Sequence, residues 1–273
     1  MTDNSEWQGR VGQTWAAEWR RTDRSFGKVT EELLSRVERH SFDQVLDVGC
    51  GAGELSLAIG RMHRRAEVTG IDISLSLLEV ARDRGLSLPN VRFLQADAGR
   101  WKPDRAPADL IVSRHGVMFF DDPAAAFANL AAAASDHGSL LFSCFRDRSE
   151  NPFFTEIARL LPGIPQLPDP RAPGPFAFAE PPYVGSLLER GGWSDVRFDR
   201  VDFAMIAGAG DDPVEDAVSY FTTIGPAAAA LREMDEGERP GFTSRVRELC
   251  RASERDGLVS LRAAAWIVSA RKA

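Results

Sequence analysis

The chain has 273 residues and a formal net charge of −7, with 33 basic and 40 acidic side chains. The acidic residues are scattered and no basic stripe is present, which argues against a nucleic acid partner. A chain of this length buries roughly 75% of the surface of its unfolded form, so it needs neither disulfides nor a structural metal.

The cysteines and the apolar stretches predict a cytoplasmic protein. Cys50, Cys144 and Cys250 are far apart and have no metal-ligand spacing, which is typical of a reducing compartment and predicts no metal site. The start of the chain is polar, and no apolar stretch approaches the roughly 20 residues of a membrane span. We therefore expect no signal peptide and no membrane span.

Five strand-like runs alternate with helical patterns between residues 26 and 145. Each run is short and rich in aliphatic or β-branched residues, as in a buried strand. Asp122 and Pro123 predict the N-cap and the first turn of the helix "AAAFANLAAAA". The alternation predicts an α/β fold with a parallel, doubly wound, Rossmann-like sheet. The five runs are "QVLDVG" (44–49), "EVTGID" (67–72), "VRFLQAD" (91–97), "ADLIVSR" (108–114) and "SLLFSCF" (139–145).

The rest of the chain differs from this region in composition and in the pattern of its predicted elements. Residues 162–182 hold eight of the sixteen prolines, so we expect irregular structure there. A helix, a sixth strand "VRFDRVDFAMIA", a helical insertion over roughly 212–255 and a last strand over 258–272 follow. We expect one domain, 1–273, whose parts are a helical N-terminal arm (1–40), a cofactor-binding core (41–145), substrate-side segments (146–194 and 207–257) and the last strand (258–273).

In such a sheet a ligand lies beyond the carboxyl ends of the strands. Gly49, Gly51 and Gly53 follow the first strand and permit a tight turn that a ligand can approach closely. Asp72 ends the second strand, nineteen residues after Gly53, where a carboxylate can accept both ribose hydroxyls. Asp97 follows the third strand and can accept from an exocyclic amino group. Together these positions predict a nucleoside across the sheet edge.

Glu54 limits which nucleoside-containing ligands the turn can bind. A dinucleotide-binding turn has glycine at this third position, where a pyrophosphate meets the helix N-terminus. A carboxylate there would repel a pyrophosphate and suits a ligand that is neutral or cationic at this point. S-adenosylmethionine, which has a sulfonium and no phosphate, has these properties.

The motifs "VLDVGCGAG", "GIDIS", "FLQADA" and "DLIVSRHGVMFF", in this order over about residues 40–145, resemble those of class I S-adenosylmethionine-dependent methyltransferases. "SRHGVMFFDDPAAAFANL" and the closing "AAWIVSARK" resemble a bacterial small-molecule subgroup related to the ubiquinone and menaquinone biosynthesis methyltransferases. The resemblance implies a seven-stranded sheet in the order 3-2-1-4-5-7-6 with an antiparallel last strand. It also implies S-adenosyl-L-methionine as the cofactor and S-adenosyl-L-homocysteine as the product.

The resemblance also implies residue roles. The three glycines would cradle the methionine portion, Asp72 would hold the ribose, Asp97 with Ala98 would contact the adenine, and the backbone near Ser113 and Arg114 would meet the amino group. An N-terminal helix bearing Trp15 would cover the cofactor, although ordinary helix packing explains that tryptophan equally well. The predicted cofactor-binding residues are Trp15, Asp47, Gly49, Cys50, Gly51, Gly53, Asp72, Ile73, Asp97, Ala98, Ser113 and Arg114.

Methyl transfer from a sulfonium is an in-line displacement, so alignment supplies most of the catalysis. His115 is the one histidine that follows a strand at the ligand edge, which suggests a general base. Packing against the cofactor is the alternative role. The acceptor, expected to be a small apolar or aromatic molecule, should contact Met118, Phe119 and Phe153. Phe154, Phe176 and Phe178 are further candidates, and all of these phenylalanines could equally belong to the core.

Two rival functions share these features. A non-catalytic S-adenosylmethionine-binding protein would bind the cofactor without consuming it. A nicotinamide-dependent reductase would have the same fold, but the third glycine and a Tyr-x-x-x-Lys pair are missing here. The accepting atom and the oligomeric state stay open at this point.

Overall fold

The computed structural model describes residues 4–161 and 169–273. Its sheet has the strand order β3-β2-β1-β4-β5-β8-β6. The strands are β1 (Gln44–Val48), β2 (Glu67–Asp72), β3 (Val91–Gln95), β4 (Ala108–Arg114), β5 (Ala134–Phe145), β6 (Trp193–Gly208), β7 (Glu254–Arg255) and β8 (Leu258–Lys272).

Helices cover both faces of the sheet and form the arm that precedes it. They are α1 (Asn4–Gln8), α2 (Arg10–Ala17), α3 (Trp19–Ser25), α4 (Gly27–Val37), α5 (Glu54–Met62), α6 (Leu75–Gly85), α7 (Pro123–Ala133), α8 (Pro152–Arg159), α9 (Pro181–Arg190), α10 (Pro213–Thr223), α11 (Pro226–Glu233) and α12 (Arg239–Ala252).

The sheet confirms the predicted doubly wound fold. Strands β1 to β5 are parallel, and β8 is antiparallel to both β5 and β6. The strand β8 takes the place predicted for the seventh strand. Parallel pairing brings the carboxyl ends of β1 to β5 to one edge, which is the edge predicted to hold the ligand.

One short strand lies where the sequence predicted only helix. Residues 254–255 form β7, which pairs with the start of β8. Asp256 and Gly257 connect the two strands with φ angles of 53° and 78°. Two central residues with positive φ are the signature of a type I′ hairpin turn, and the dipeptide Asp-Gly favours it. The structure therefore adds an eighth strand to the predicted seven.

Two local predictions concern helix ends and prolines. The side chain of Asp122 accepts a hydrogen bond of 3.0 Å from the main-chain N–H of Ala125, which confirms the predicted cap of α7. Residues 169–180 contain no helix or strand, as their prolines predicted, whereas 162–168 lie outside the described residues. Prolines at the end of the rich segment instead open α9, because the first helical turn needs no N–H from them.

The main core lies between the sheet and the helices on its two faces. Leu110 and Ile111 in the middle of β4 have no exposed surface, and neither has Leu33 on α4. The cysteines 50, 144 and 250 are all buried and form no disulfide. Within the described ranges, no helix combines the length and apolar character needed to cross a bilayer. The same ranges contain no cluster of three metal-ligating side chains.

Candidate functional site

A cavity of about 1080 Å³ opens at the carboxyl ends of β1 to β5. It is bounded by the turns that follow these five strands, by the helical arm, and by α10 and α11. Ligand sites in proteins have volumes of roughly 300 to 1,000 Å³, so this cavity has room for a cofactor and a small second molecule.

The three glycines after β1 have positive φ angles, but their surroundings differ. A Cβ on Gly49 would lie 2.8 Å from the Cα of Gly116, and a Cβ on Gly53 would lie 2.9 Å from the ring of Phe93. Gly51 has nothing within 4 Å of the same position and lines the cavity. Gly51 therefore offers the bare main chain to a ligand, and Gly53 faces protein instead of the cavity.

Asp72 holds the glycine turn in place. Its Oδ2 accepts a hydrogen bond of 2.8 Å from the N–H of Gly51, and its Oδ1 accepts one of 2.8 Å from the N–H of Ser74. Burial raises the pKa of this carboxyl above its ordinary value. Asp97 also lines the cavity, but it is exposed and accepts from the N–H of Gly99 at 2.8 Å.

Asp47 provides a buried carboxylate oxygen without a partner. The side chain is on β1, is 1% exposed, and accepts a hydrogen bond of 2.6 Å from the Ser56 hydroxyl through Oδ2. Its Oδ1 has no hydrogen-bond partner among the described residues. Burial raises the pKa of Asp47 to about 6. An orphaned acceptor on the cavity wall fits a ligand that brings a donor, such as an amino group.

The last two residues of β4 differ in role: one supports the turn that follows the strand, and the other lines the cavity. The hydroxyl of Ser113 donates to the carbonyl of Val48 at 2.7 Å and accepts from the N–H of Gly116 at 3.1 Å. Ser113 is fully buried and does not line the cavity, although it was predicted as a cofactor residue. Arg114 does line it, and its guanidinium binds Asp23 of the arm at 2.9 Å.

Glu54 has a different role from the one inferred from its position. Its carboxylate lies 2.6 Å from the guanidinium of Arg84, which also binds Asp23 at 3.0 Å and covers the ring of Trp19. Glu54 does not line the cavity. Because its charge is neutralised by Arg84, it cannot select a cationic ligand. Instead it belongs to an ion-pair network that fastens α3 to the glycine turn.

Tryptophans of the arm close one side of the cavity. Trp15 lines it together with Trp7, and their ring centroids are 5.5 Å apart. Trp7 also contacts Phe119, the predicted acceptor residue, edge to face at 5.2 Å. The arm therefore contributes to the cavity both a residue predicted to bind the cofactor and a residue in contact with a predicted acceptor residue. The predicted residues Cys50, Ile73 and Ala98 also line the cavity.

His115 has an unusual environment at the centre of the cavity wall. Its φ angle is 61°, and its ring stacks on Phe145 at 4.3 Å and meets Phe26 edge to face. Both ring nitrogens are buried and have no hydrogen-bond partner among the described residues. Burial, with the positive charge of Arg114, lowers the pKa of His115 to about 3. The imidazole is therefore neutral at physiological pH, and its unprotonated nitrogen fits a ligand that brings a hydrogen-bond donor.

Three phenylalanines form what we call the aromatic wall: Phe145, Phe154 and Phe176. The ring centroid of Phe154 is 5.4 Å from that of Phe145 and 4.9 Å from that of Phe176, and the last two are 6.0 Å apart. The predicted acceptor residues Met118, Phe119 and Phe153 line the cavity beside this wall. Phe178 does not, because it packs into the core against Phe127 and Phe142. Lining residues that the sequence did not indicate include Phe26, Phe145, Arg148, Tyr220 and Phe221.

Comparison with known proteins agrees with this site. The family described as a methyltransferase domain matches residues 45–138. Trans-aconitate 2-methyltransferase of Escherichia coli O7:K1 is 33% identical over 109 residues, 40% of this chain and 42% of the relative. Malonyl-[acyl-carrier protein] O-methyltransferase of Anoxybacillus flavithermus is 31% identical over 148 residues, 54% of this chain and 56% of the relative. The alignments thus span about half of each relative.

A solved structure extends the similarity of fold to nearly the whole chain. Phosphoethanolamine N-methyltransferase 2 of Haemonchus contortus, in complex with S-adenosyl-L-methionine, has a TM-score of 0.56 at 14% identity. The match covers 98% of this chain and 57% of that protein. At this identity the comparison supports the fold alone.

The strand order, the glycine turn and the family match define the class. Residues 45–138 match the methyltransferase-domain family, as the motifs predicted, and the chain has the fold of the class I S-adenosylmethionine-dependent methyltransferases, whose cofactor is S-adenosylmethionine. The curated relatives reported above are bacterial methyltransferases.

Proposed function

We propose that this protein transfers a methyl group from S-adenosylmethionine to a small acceptor with an apolar or aromatic body. The observation that carries the proposal is a single cavity that runs from the Gly51–Asp72 turn to the aromatic wall and has His115 between them. The names of the curated relatives, which are methyltransferases for trans-aconitate and for malonyl-[acyl-carrier protein], support methyl transfer.

The cofactor end of the cavity offers the contacts that S-adenosylmethionine needs. When bound, this cofactor supplies an electrophilic methyl group on a sulfonium. Asp47 Oδ1 accepts from the amino group, Gly51 presents its main chain to the methionine portion, and Asp72 accepts from the ribose. Asp97 and Ala98 border the adenine, while Ile73, Cys50, Arg114 and Trp15 complete the lining.

His115 is proposed as the group that receives the proton of the acceptor. With a pKa of about 3, its imidazole is a weak base and does not ionise a hydroxyl beforehand. Methylation, however, makes a neutral hydroxyl oxygen strongly acidic. A neutral imidazole beside it is then competent to take the proton late in the transfer. An acceptor that is already an anion needs no such base, and His115 then acts by orientation.

The test combines binding with turnover. Calorimetry with S-adenosylhomocysteine and, separately, with NAD distinguishes a methyltransferase from a reductase. Release of S-adenosylhomocysteine from S-adenosylmethionine in the presence of phenolic and carboxylic acceptors then measures transfer. Binding without transfer to any acceptor would favour the non-catalytic alternative.

For a hydroxyl acceptor, we expect His115→Ala to lower kcat about 100-fold and to leave S-adenosylhomocysteine binding within about twofold. His137→Ala, at an exposed position on β5, is the control and should behave as the wild type. Unchanged turnover in His115→Ala would contradict the base role.

A further inference from the structure

We infer that the methyl acceptor carries an anionic group, a carboxylate or a phosphate ester, and that Arg148 binds this group beside the aromatic wall. The inference rests on the proposed function, because it assigns the acceptor of the same site. It adds a charge requirement to an acceptor otherwise described only as apolar or aromatic.

Arg148 lies on the short 3₁₀ turn Arg148–Glu150 that follows β5, and it lines the cavity. Its guanidinium carbon is 4.9 Å from the ring centroid of Phe176, a member of the aromatic wall. The side chain is half-buried, and no carboxylate forms an ion pair with it in the part of the chain that the structure describes. A guanidinium held on a ring face, without a carboxylate partner, remains able to bind an anion.

The two acidic residues beside Arg148 in the sequence are bound elsewhere. The carboxylate of Asp147 accepts from the N–H of Ser149 at 2.9 Å and from its hydroxyl at 2.6 Å. Glu150 pairs with the buried guanidinium of Arg146. Neither carboxylate forms an ion pair with Arg148, although the charge of Arg148 contributes, after the Ser149 hydrogen bonds, to the lowered pKa of Asp147.

The turn that carries Arg148 is held firmly. Asn151, which is fully buried, donates to the carbonyls of Arg146 and Asp147 at 3.2 and 3.0 Å. Its side-chain oxygen accepts from the N–H of Ala264 on β8 at 2.8 Å. The main chain around Arg148 is thus set before a ligand arrives, which lowers the entropic cost of binding.

Other arginines line the cavity but suit this role less well. Arg114 is ion-paired with the arm, and Arg100 lies 3.8 Å from an aspartate. Arg10 and Arg232 are exposed, so solvent weakens any interaction of their charges with a ligand. Arg148 alone among these five is half-buried and has no carboxylate partner in the described ranges.

Ring contacts connect His115 to Arg148 without a gap. The imidazole stacks on Phe145, the rings of Phe154 and Phe176 both contact Phe145, and the guanidinium lies over Phe176. An acceptor whose reacting atom is at His115 therefore places its apolar body against the aromatic wall. The anionic group, at Arg148, is then separated from the atom that receives the methyl group by this apolar body.

Matched pairs of probes test the inference. With S-adenosylhomocysteine at saturation, calorimetry compares 4-phenylbutyrate with 4-phenylbutan-1-ol, and 2-phenylethyl phosphate with 2-phenylethanol. We expect at least one anion to bind the wild type about 10-fold more tightly than its alcohol. Preference for one anion over the other identifies the group as carboxylate or phosphate.

Variants assign the preference to Arg148. Arg148→Gln should remove it and leave the binding of the alcohols unchanged. Arg171→Gln is the control, because Arg171 covers the ring of Tyr183 at 4.8 Å outside the cavity and should retain the preference. Equal binding of anion and alcohol to the wild type, including no binding of either, overturns the inference, and so does a preference that persists in Arg148→Gln.

The same preparations separate this result from the proposed function. If S-adenosylhomocysteine does not bind the wild type, the proposed function fails, and the probe panel is then measured on the protein alone. An anion preference lost in Arg148→Gln under that condition still supports an anion site at Arg148.

Discussion

The two ends of the cavity are built in different ways. At the cofactor end, the lining comes from short turns after consecutive strands, and its polar atoms are main-chain groups and carboxylates such as Asp72. At the acceptor end, side chains of distant segments meet: Phe26 from the arm, Phe145 from β5 and Tyr220 from α10.

This difference predicts how strongly a substitution at each end affects ligand binding. Main-chain geometry at the cofactor end depends on particular φ angles and on individual hydrogen bonds, so single changes there should have large effects on binding. The acceptor end consists mainly of packed rings, in which similar side chains can replace one another at modest cost. Three measurements test this contrast.

The largest effect is expected at Asp72. Asp72→Ala removes the acceptor of the hydrogen bonds from Gly51 and Ser74, together with the proposed ribose contact. We expect S-adenosylhomocysteine binding to weaken by at least about 1000-fold, as measured by calorimetry. Asp104→Ala, which removes an exposed carboxylate outside the cavity, is the control and should bind normally. A loss below tenfold in Asp72→Ala would show that the cofactor end is as tolerant as the acceptor end.

An intermediate effect is expected from the titration of Asp47. Its pKa in the folded protein, about 6, is higher than the ordinary value of 3.8, so the folded state binds more protons between these pH values. Stability from this group is therefore present at low pH and is lost as pH rises through 6, by about 3 kcal/mol in total.

Urea unfolding of the ligand-free protein from pH 4 to pH 7.5 measures this effect. The unfolding free energy of the wild type, relative to Asp47→Asn, should fall as pH increases. A difference that stays constant over this range would show that Asp47 keeps its ordinary pKa and that its unpartnered oxygen is hydrated.

The smallest effect is expected on the aromatic wall. Phe154→Leu keeps an apolar side chain but loses the ring contacts with Phe145 and Phe176. We expect binding of the phenyl probes to weaken about threefold, while S-adenosylhomocysteine binding stays within about twofold. Weakening of cofactor binding by tenfold or more would mean that the two ends are not separable.

The sequence indicated lining residues at both ends of the cavity, but it did not indicate Phe26, Phe145 or Tyr220 at the acceptor end. The rule that a ligand binds beyond the carboxyl ends of the strands led to Asp72 and Asp97, because buried strands and the turns that follow them leave local signals in the sequence. The interpretation of Glu54 from its place in the glycine motif was wrong, because its partner Arg84 lies thirty residues away on α6. The same rule, applied to β5, would have indicated Phe145 and the turn bearing Arg148, which directly follow that strand.

By itself, the amino-acid sequence predicted the doubly wound fold, because hydrophobic periodicity and glycine turns act over a few residues. Its motifs also carried the resemblance to the class I methyltransferases, which implied the cofactor. Only the tertiary structure decided that Gly51 lines the cavity with open space beside its Cα, whereas Gly53 faces protein. It also decided that the imidazole of His115 is neutral and has no hydrogen-bond partner among the described residues, and that no carboxylate in those residues forms an ion pair with Arg148. These properties depend on side chains far apart in the chain, and their separation in space is set by the packing of the arm, the sheet and the late helices.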